Sequence, residues 1–145
     1  MEDGTLLNLS KKLGNVKSIN EVNNAIKKGD LAKVDLRVED ITEKEIKGLP
    51  KNTTSSNFGK LEKTANENDL MIGIANMIFE TIGMMAVFAT QNTKIKNIIV
   101  IGNAANIPYI NEVLNRIENL HKGIQFIIPK NAEYAVAIGA IKALK

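Results

Sequence analysis

The stretch that decides the fold is Asn97-Ile98-Ile99-Val100-Ile101-Gly102-Asn103, a β-branched run that ends in glycine and asparagine. Such a run predicts a strand covered on both faces, and its last two residues predict a turn. A helix is predicted next, from about Ile107 to Leu120 with Pro108 in its first turn. A second buried strand is predicted from Ile124 to Ile128, and a closing helix from Tyr134 to Leu144. Strand, helix, strand and helix with short links predict parallel strands joined by a right-handed crossover.

The chain before this sheet is helical at its front and polar in its middle. The leucines from Thr5 to Leu13 are spaced for one helix face. Ser18, with Glu21 three residues later, predicts the capped start of a second helix. The stretch from Val34 to Ile46 alternates only in part, so a helix and a strand both remain open. The residues from Pro50 to Asn57 are typical of a loop.

The segment from Leu70 to Ala89 is apolar apart from Asn76, Glu80 and Thr81. Twenty such residues are long enough to span a bilayer, but Glu80 near the centre would cost about 2.5–3.5 kcal/mol there. We therefore predict a helix buried in a core or in a subunit interface, and no membrane partner. Glu80 is expected to reach solvent or to pair at an interface, and a carboxylate of raised pKa is the alternative.

Composition bounds the remaining possibilities. A chain of 145 residues with 44% apolar and 24% charged residues fits one globular domain, residues 1–145. The absence of cysteine excludes disulfides, cysteine-bound metals and thiol nucleophiles. Of the 19 basic residues 17 are lysine, spread along the chain, so a solvated surface is favoured over a nucleic-acid partner. No signal-peptide pattern opens the chain, and we expect a cytoplasmic protein.

Conventional catalytic and metal-binding groups are sparse. The single histidine, His121, ends a helix and is expected to be solvated, and we predict no catalytic or metal-ligating residue. The acids Asp30, Asp35, Glu39 and Asp40 suggest a cation site, but a solvated acidic face is the simpler interpretation.

Two glycine positions are better candidates for ligand binding. Gly102 and Asn103 lie where a strand ends and a helix begins, the place where open α/β sheets bind ligands. Glycine there lets the backbone approach a nucleotide, and Asn103 offers both a donor and an acceptor. Asp3-Gly4-Thr5 stands immediately before the first helix, where backbone amides are suited to a phosphate.

Several segments, taken in order, resemble the C-terminal half of the type II (eukaryotic-like) pantothenate kinases of the acetate kinase/sugar kinase/heat-shock/actin superfamily. The matching segments, which cover nearly the whole chain, are Gly4 to Ser10, Lys28 to Asp30, Val34-Asp35, Val38, Asp40-Ile41, Thr54 to Lys60, Thr81 to Gly83, Ala86, Ile98 to Asn103, Tyr134 and Ala137 to Ala140.

This resemblance implies a helix-rich α/β fold that is the second half of an actin-like (RNase H-like) ATPase, with a short parallel sheet at its C-terminal end. It implies ATP- and Mg²⁺-dependent phosphorylation of pantothenate in coenzyme A biosynthesis. It places ATP phosphate at Gly4 and Thr5 and the adenosine at Gly102 and Asn103. It also implies a homodimer formed through the helix from Leu70 to Ala89.

The family's first half, with its phosphate loop and catalytic glutamate, has no counterpart in this sequence. We therefore expect no activity from the chain alone and a separate N-terminal kinase half as its partner. The alternative is a non-catalytic dimerisation or regulatory module derived from the kinase scaffold. Glu2 and Asp3 place carboxylates where phosphate would lie, and Val136 replaces a family glycine. These departures from the family pattern favour that alternative.

Overall fold

A computed structural model of the protein describes residues 2–144, with side chains from Gly4 onward. The chain divides into two compact units, one ending at Ile78 and the other beginning at Phe79. This boundary falls inside the longest helix, and each unit is described by itself below. That residues 1–145 form a single domain stays a prediction.

Two helices open the first unit. Helix α1 spans Glu2–Gly14 and helix α2 spans Ile19–Lys28, which confirms both predicted helices. The Ser18 hydroxyl accepts the backbone N–H of Glu21 at 3.3 Å, as the capping pattern predicts. The Glu21 carboxylate accepts from the backbone N–H of Lys17 at 2.7 Å, one residue before the cap. The local sequence signals therefore place the start of α2 correctly.

The segment that fits either a helix or a strand contains both. A 3-10 turn at Leu31–Lys33 leads into the two-residue strand β1 (Leu36–Arg37) and the one-turn helix α3 (Val38–Ile41). Strand β2 (Thr54–Ser56) pairs antiparallel with β1. The prediction of a loop from Pro50 to Asn57 is wrong at these three residues, because pairing with β1 gives a polar segment partners that its composition does not reveal.

Helix α4 spans Glu67–Thr90 and confirms the predicted long apolar helix. Its length and composition would suffice to cross a membrane, and half of its most apolar window is buried inside the structure. Met71, Ile74, Ala75 and Phe79 are all at most 1% exposed. Burial to this extent is typical of a core helix.

The second unit contains the predicted strand and helix order. Strand β3 (Asn97–Ile99) pairs in parallel with strand β4 (Gln125–Ile127), and helix α5 (Tyr109–Leu120) connects them. A 3-10 turn at Ala132–Tyr134 precedes helix α6 (Ala135–Ala143). The protein is therefore a helix-rich α/β protein with a short parallel sheet near its C-terminus.

The prediction that both strands are buried on both faces is wrong. Ile99 is 65% exposed and Ile127 is 38% exposed, whereas the side chains of Ile98 and Phe126 are half-buried. Alternate side chains of a strand point to opposite faces, so one face of the sheet is packed and the other is open. The β-branched run was sufficient to predict a strand, but it does not report what covers each face.

Candidate functional site

The turn after β3 contains Gly102 in a conformation that glycine alone adopts readily. Its φ is +104° and its ψ is 175°, in a region that side chains disfavour. The Gly102 N–H donates to the carbonyl of Ala132 at 3.0 Å, which ties the turn to the segment before α6. A Cβ at this position would meet no other atom within 4 Å. Backbone conformation, and not crowding, therefore requires glycine here.

Asn103 begins the 3-10 turn Asn103–Asn106 that leads towards α5, and its side chain is exposed. Gly102 and Asn103 thus lie beyond the carboxyl end of β3, and the predicted strand-to-helix turn is confirmed. Because the Gly102 amide is already bonded to the protein, the exposed side chain of Asn103 is the member of this pair that is suited to contact a ligand. That a nucleotide binds there stays a prediction.

Gly4 and Thr5 lie within the first turns of α1, so the prediction that they stand immediately before the first helix is wrong. Helical geometry extends back to Glu2, which leaves Gly4 as the third residue of the helix. Both residues are exposed and, with Asn8 and Leu9, line an open depression of about 480 Å³. The sequence predicts that the carboxylates of Glu2 and Asp3 stand where phosphate would lie, and these two side chains lie outside the described residues.

The structure places the two candidate pairs in different units. Gly4 and Thr5 belong to the first unit, and Gly102 and Asn103 belong to the second. Each pair is exposed or half-buried within its own unit. Their roles in ATP binding stay predictions.

A buried polar cluster in the first unit is centred on Asp35, which is 0% exposed. Its carboxylate accepts hydrogen bonds from the side chains of Asn76 and Asn57 and from the backbone N–H of Phe58. The prediction of a solvated acidic face is therefore wrong at Asp35. The signal was present in the sequence, since Asn76 interrupts an apolar helix and a buried amide needs a polar partner.

Asp69 is a second buried carboxylate, 1% exposed, at the start of α4. It accepts the backbone N–H of Asp30 at 2.7 Å and that of Asn66 at 2.9 Å, and Lys33 lies 3.7 Å away. Asn66 accepts in return from the backbone N–H of Asp69, which completes a capping box. Burial raises the pKa of Asp69, but these hydrogen bonds and the Lys33 charge together hold the pKa below its ordinary value.

In the second unit Glu80 pairs with Arg116 at 3.9 Å, and both side chains are about one quarter exposed. Arg116 also lies 3.4 Å from the Tyr109 hydroxyl and 6.0 Å from the centre of its ring. Burial raises the pKa of Tyr109 to about 12. The sequence predicts that Glu80 reaches solvent or pairs at an interface; its side chain is partly exposed and pairs with Arg116 of the same unit.

His121 follows α5 and is half-buried. With Lys96, Lys122 and neighbouring residues it lines a cavity of about 210 Å³. Lys96 immediately precedes β3 and Ile124, which also lines the cavity, immediately precedes β4. The cavity therefore lies where the strands begin, at the end opposite to the Gly102 turn.

Similarity to known proteins covers almost the whole chain. The Fumble family matches residues 1–141. A type II pantothenate kinase of Oceanobacillus iheyensis is 30% identical over 142 residues, which are 95% of this chain and 53% of that enzyme. Type II pantothenate kinases of Bacillus cereus and Bacillus thuringiensis subsp. konkukian are 29% and 28% identical over 103 residues, 69% of this chain and 38% and 37% of those enzymes.

The chain therefore spans about half the length, or less, of the curated relatives it matches. The residues matched by the family extend from α1 into α6. The match therefore includes both units and both candidate glycine positions. The protein belongs to the Fumble family, the family of the type II pantothenate kinases.

Proposed function

We propose that this chain is the C-terminal half of a pantothenate kinase, which transfers the terminal phosphoryl group of ATP to a hydroxyl of pantothenate in the cytoplasm. The observation that carries the proposal is the family match over residues 1–141, because it runs from the start of α1 into the last helix, α6. Among the relatives, the enzyme of Oceanobacillus iheyensis bears the name type II pantothenate kinase. The fold proposed with this function is the second half of an actin-like ATPase.

The turn at Gly102 supports the adenosine side of such a site. It lies at the carboxyl end of a parallel strand, and its glycine leaves open space where a side chain would stand. A nucleotide can therefore approach the backbone closely, and the Asn103 side chain can both donate to it and accept from it. The Gly102 amide itself holds the turn in place through Ala132.

The start of α1 supports the phosphate side. Gly4 is the third residue of the helix, so its amide belongs to the first turn, whose N–H groups lack partners within the helix. Such amides carry the positive end of the helix dipole and attract phosphate. The exposed Thr5 hydroxyl adds a donor.

Mg²⁺ at phosphoryl-transfer sites is held by one or two carboxylates together with phosphate oxygens. Among the described residues no group of three or more acidic, histidine or cysteine side chains could hold a metal ion by itself. Each candidate pair therefore fits a contact with a nucleotide within its own unit, and neither pair is a complete metal site. We propose that the remaining ligands and the catalytic carboxylate come from the half that the relatives have in addition, and that this chain alone is inactive.

We also propose that two copies associate through the helix from Leu70 to Ala89. In the second unit Met85 is 66% exposed and Phe88 is 61% exposed, three residues apart on α4. Positions three apart share one helix face, so the two exposed side chains form one apolar patch. This exposed pair also supports the second candidate function, a non-catalytic dimerisation module.

Pantothenate-dependent ADP release tests the proposed function. The chain alone is expected to release none, and the chain mixed with the part of the Oceanobacillus iheyensis enzyme outside the matched region is expected to release ADP. In the mixture, Gly102→Ala should lower the rate at least about tenfold, because a small displacement at a phosphoryl-transfer site is costly. Gly48→Ala is the matched control, since Gly48 also has a positive φ of 82° and open space around it.

If the mixture releases no ADP while the two parts of the Oceanobacillus enzyme do so together, the kinase proposal fails. A dimer that binds no ATP, tested by calorimetric titration, would then support the non-catalytic module.

A further inference from the structure

The parallel sheet in the second unit is smaller than parallel sheets usually are. In the part of the chain that the structure describes, β3 pairs with β4 and the sheet has these two strands. Parallel strands normally occur in larger sheets with both faces covered, and two strands alone are marginally stable. The N–H of Phe126, which points away from β3, already donates to the Glu118 carboxylate, so the outer edge of β3 is the one on which a further strand could form.

One face of the sheet presents exposed isoleucines. Ile99, Ile101 and Ile127 are 65%, 46% and 38% exposed, whereas the alternating residues Ile98 and Phe126 are half-buried. We call the three isoleucines the open sheet face. Ile99 and Ile127 are paired and share this face with the exposed pair Asn97 and Gln125, while Ile101 follows two residues after β3. Exposed isoleucines on a parallel sheet are typical of the covered sheets of α/β proteins, not of a solvated surface.

Helix α6 is open in the same way. None of its residues is buried, although it contains one charged residue, Lys142. Val136 and Ile141 are 71% and 62% exposed. A helix that is apolar all round is normally buried, and α5 in the same unit does bury one face. The bond from Gly102 to Ala132 links the turn after β3 to the segment before α6.

We propose that the open sheet face and α6 form the docking surface for the other half of the kinase, which adds a strand to the edge of the β3–β4 sheet and covers its isoleucines. The length of the relatives argues for this occupant. The chain aligns over 95% of its own length but covers 53% of the Oceanobacillus enzyme, so a polypeptide of nearly the same size is left over in that relative. Strand addition supplies backbone hydrogen bonds, and the isoleucines supply apolar contact. This proposal rests on the proposed function.

The test is binding, measured apart from activity. The part of the Oceanobacillus iheyensis enzyme outside the matched region is co-expressed with this chain, and separately with its own matched part as the positive control. Native mass spectrometry is expected to show a complex of this chain with the added half. Hydrogen exchange at the amides of β3, β4 and α6 should slow in that complex, compared with the chain alone.

Two variants and one matched control sharpen the test. Ile99→Asp and Ile127→Asp should each weaken the complex at least about tenfold, because the new charge would be buried without a partner. Ile41→Asp should leave the complex unchanged, since Ile41 is a 59% exposed isoleucine in the first unit. All three positions are exposed, so the helical signal in circular dichroism should be retained in each variant.

Each outcome decides the proposal. It is overturned if the control halves associate but this chain does not join, or if the complex forms without protection of the sheet and without an effect of Ile99→Asp. It is also overturned if Ile99→Asp abolishes a homodimer, or if the chain binds phosphatidylcholine vesicles through this surface instead. If the complex forms, protects the sheet and is weakened by the variants but releases no ADP, the docking surface is supported and the kinase function is refuted. If ADP is released and neither variant changes the rate, the kinase function is supported and the docking surface is refuted.

Discussion

Asn76 donates its side-chain amide to the carboxylate of Asp35 across 2.8 Å, and both side chains are fully buried. The same carboxylate accepts the backbone N–H of Phe58 at 2.8 Å and the side chain of Asn57 at 3.3 Å. A buried carboxylate is costly unless donors of this kind surround it. The network therefore joins helix α4 to the segment that follows β2 and fixes the place of each in the first unit.

Replacing the Asn76 side-chain donor should reveal the free-energy cost of burying the Asp35 carboxylate. Asn76→Leu is expected to lower the free energy of unfolding by about 3 kcal/mol, because the Asp35 carboxylate stays buried with one donor fewer. Asn24→Leu, at an exposed asparagine of α2, should change it by no more than about 0.5 kcal/mol. Urea denaturation measures both variants. Equal effects of the two substitutions would show that the network contributes nothing particular to stability.

Asp69 makes the stability of the first unit depend on pH in the acidic range. Its pKa in the folded protein lies below the ordinary value, so in acid the unfolded chain takes up a proton that the folded chain resists. The stabilisation that the ionised Asp69 carboxylate provides is complete at neutral pH. It begins to be lost as the pH falls below about 4, and it disappears as the pH passes through the lowered pKa of Asp69 in the folded protein. Asp69→Asn should therefore be less stable than the natural protein at pH 7, and this difference should shrink towards pH 3.

Denaturation at a series of pH values between 7 and 3 checks this dependence. Glu67→Gln, at an exposed carboxylate in the same first turn of α4, is the matched control. The interpretation is wrong if the difference between Asp69→Asn and the natural protein stays constant over the whole range.

Local signals in the sequence predicted the helices well. The cap of α2 at Ser18 was predictable because a cap needs only side chains within three residues of one another. Strand β2 was missed because its partner β1 is distant in the sequence and its residues are polar. Asp35 was misjudged for the same reason, since its donors lie 22, 23 and 41 residues away.

The candidate site was predictable in part. Gly102 and Asn103 were identified because a β-branched run that ends in glycine defines the end of a strand. Gly4 and Thr5 were placed before a helix that in fact includes them, because three polar or small residues carry no signal that stops the helix from extending. The open sheet face was not predictable, since the residues of a strand do not tell whether both of its neighbouring layers belong to the same chain.

Gly29 is a position where a single methyl group should be costly. It follows α2 with a φ of −77°, so its conformation suits any residue. A Cβ there would lie 2.3 Å from the backbone oxygen of Asn68 and 2.7 Å from a methyl carbon of Ile72. A backbone atom cannot move aside as a side chain can, and Gly29→Ala is expected to lower the free energy of unfolding by about 2–3 kcal/mol.

Gly4→Ala is the control for this substitution. Gly4 lies in a helix of the same unit with open space where a Cβ would stand, so alanine should leave stability unchanged or raise it by up to about 1 kcal/mol. Thermal and urea denaturation should give the same sign. A neutral effect of Gly29→Ala would show that α2 and α4 are less closely packed than the structure describes.

The proposed homodimer should depend on the exposed pair on α4. The natural protein is expected to be a dimer in light scattering, and Met85→Glu combined with Phe88→Glu should convert it to a monomer, because four carboxylates would then meet in one apolar contact. Leu13→Glu combined with Ile19→Glu is the matched control, since both residues are exposed and apolar but lie in the first unit outside α4. A natural protein that is monomeric, or a dimer that both double variants disrupt to the same extent, would contradict this assignment of the interface.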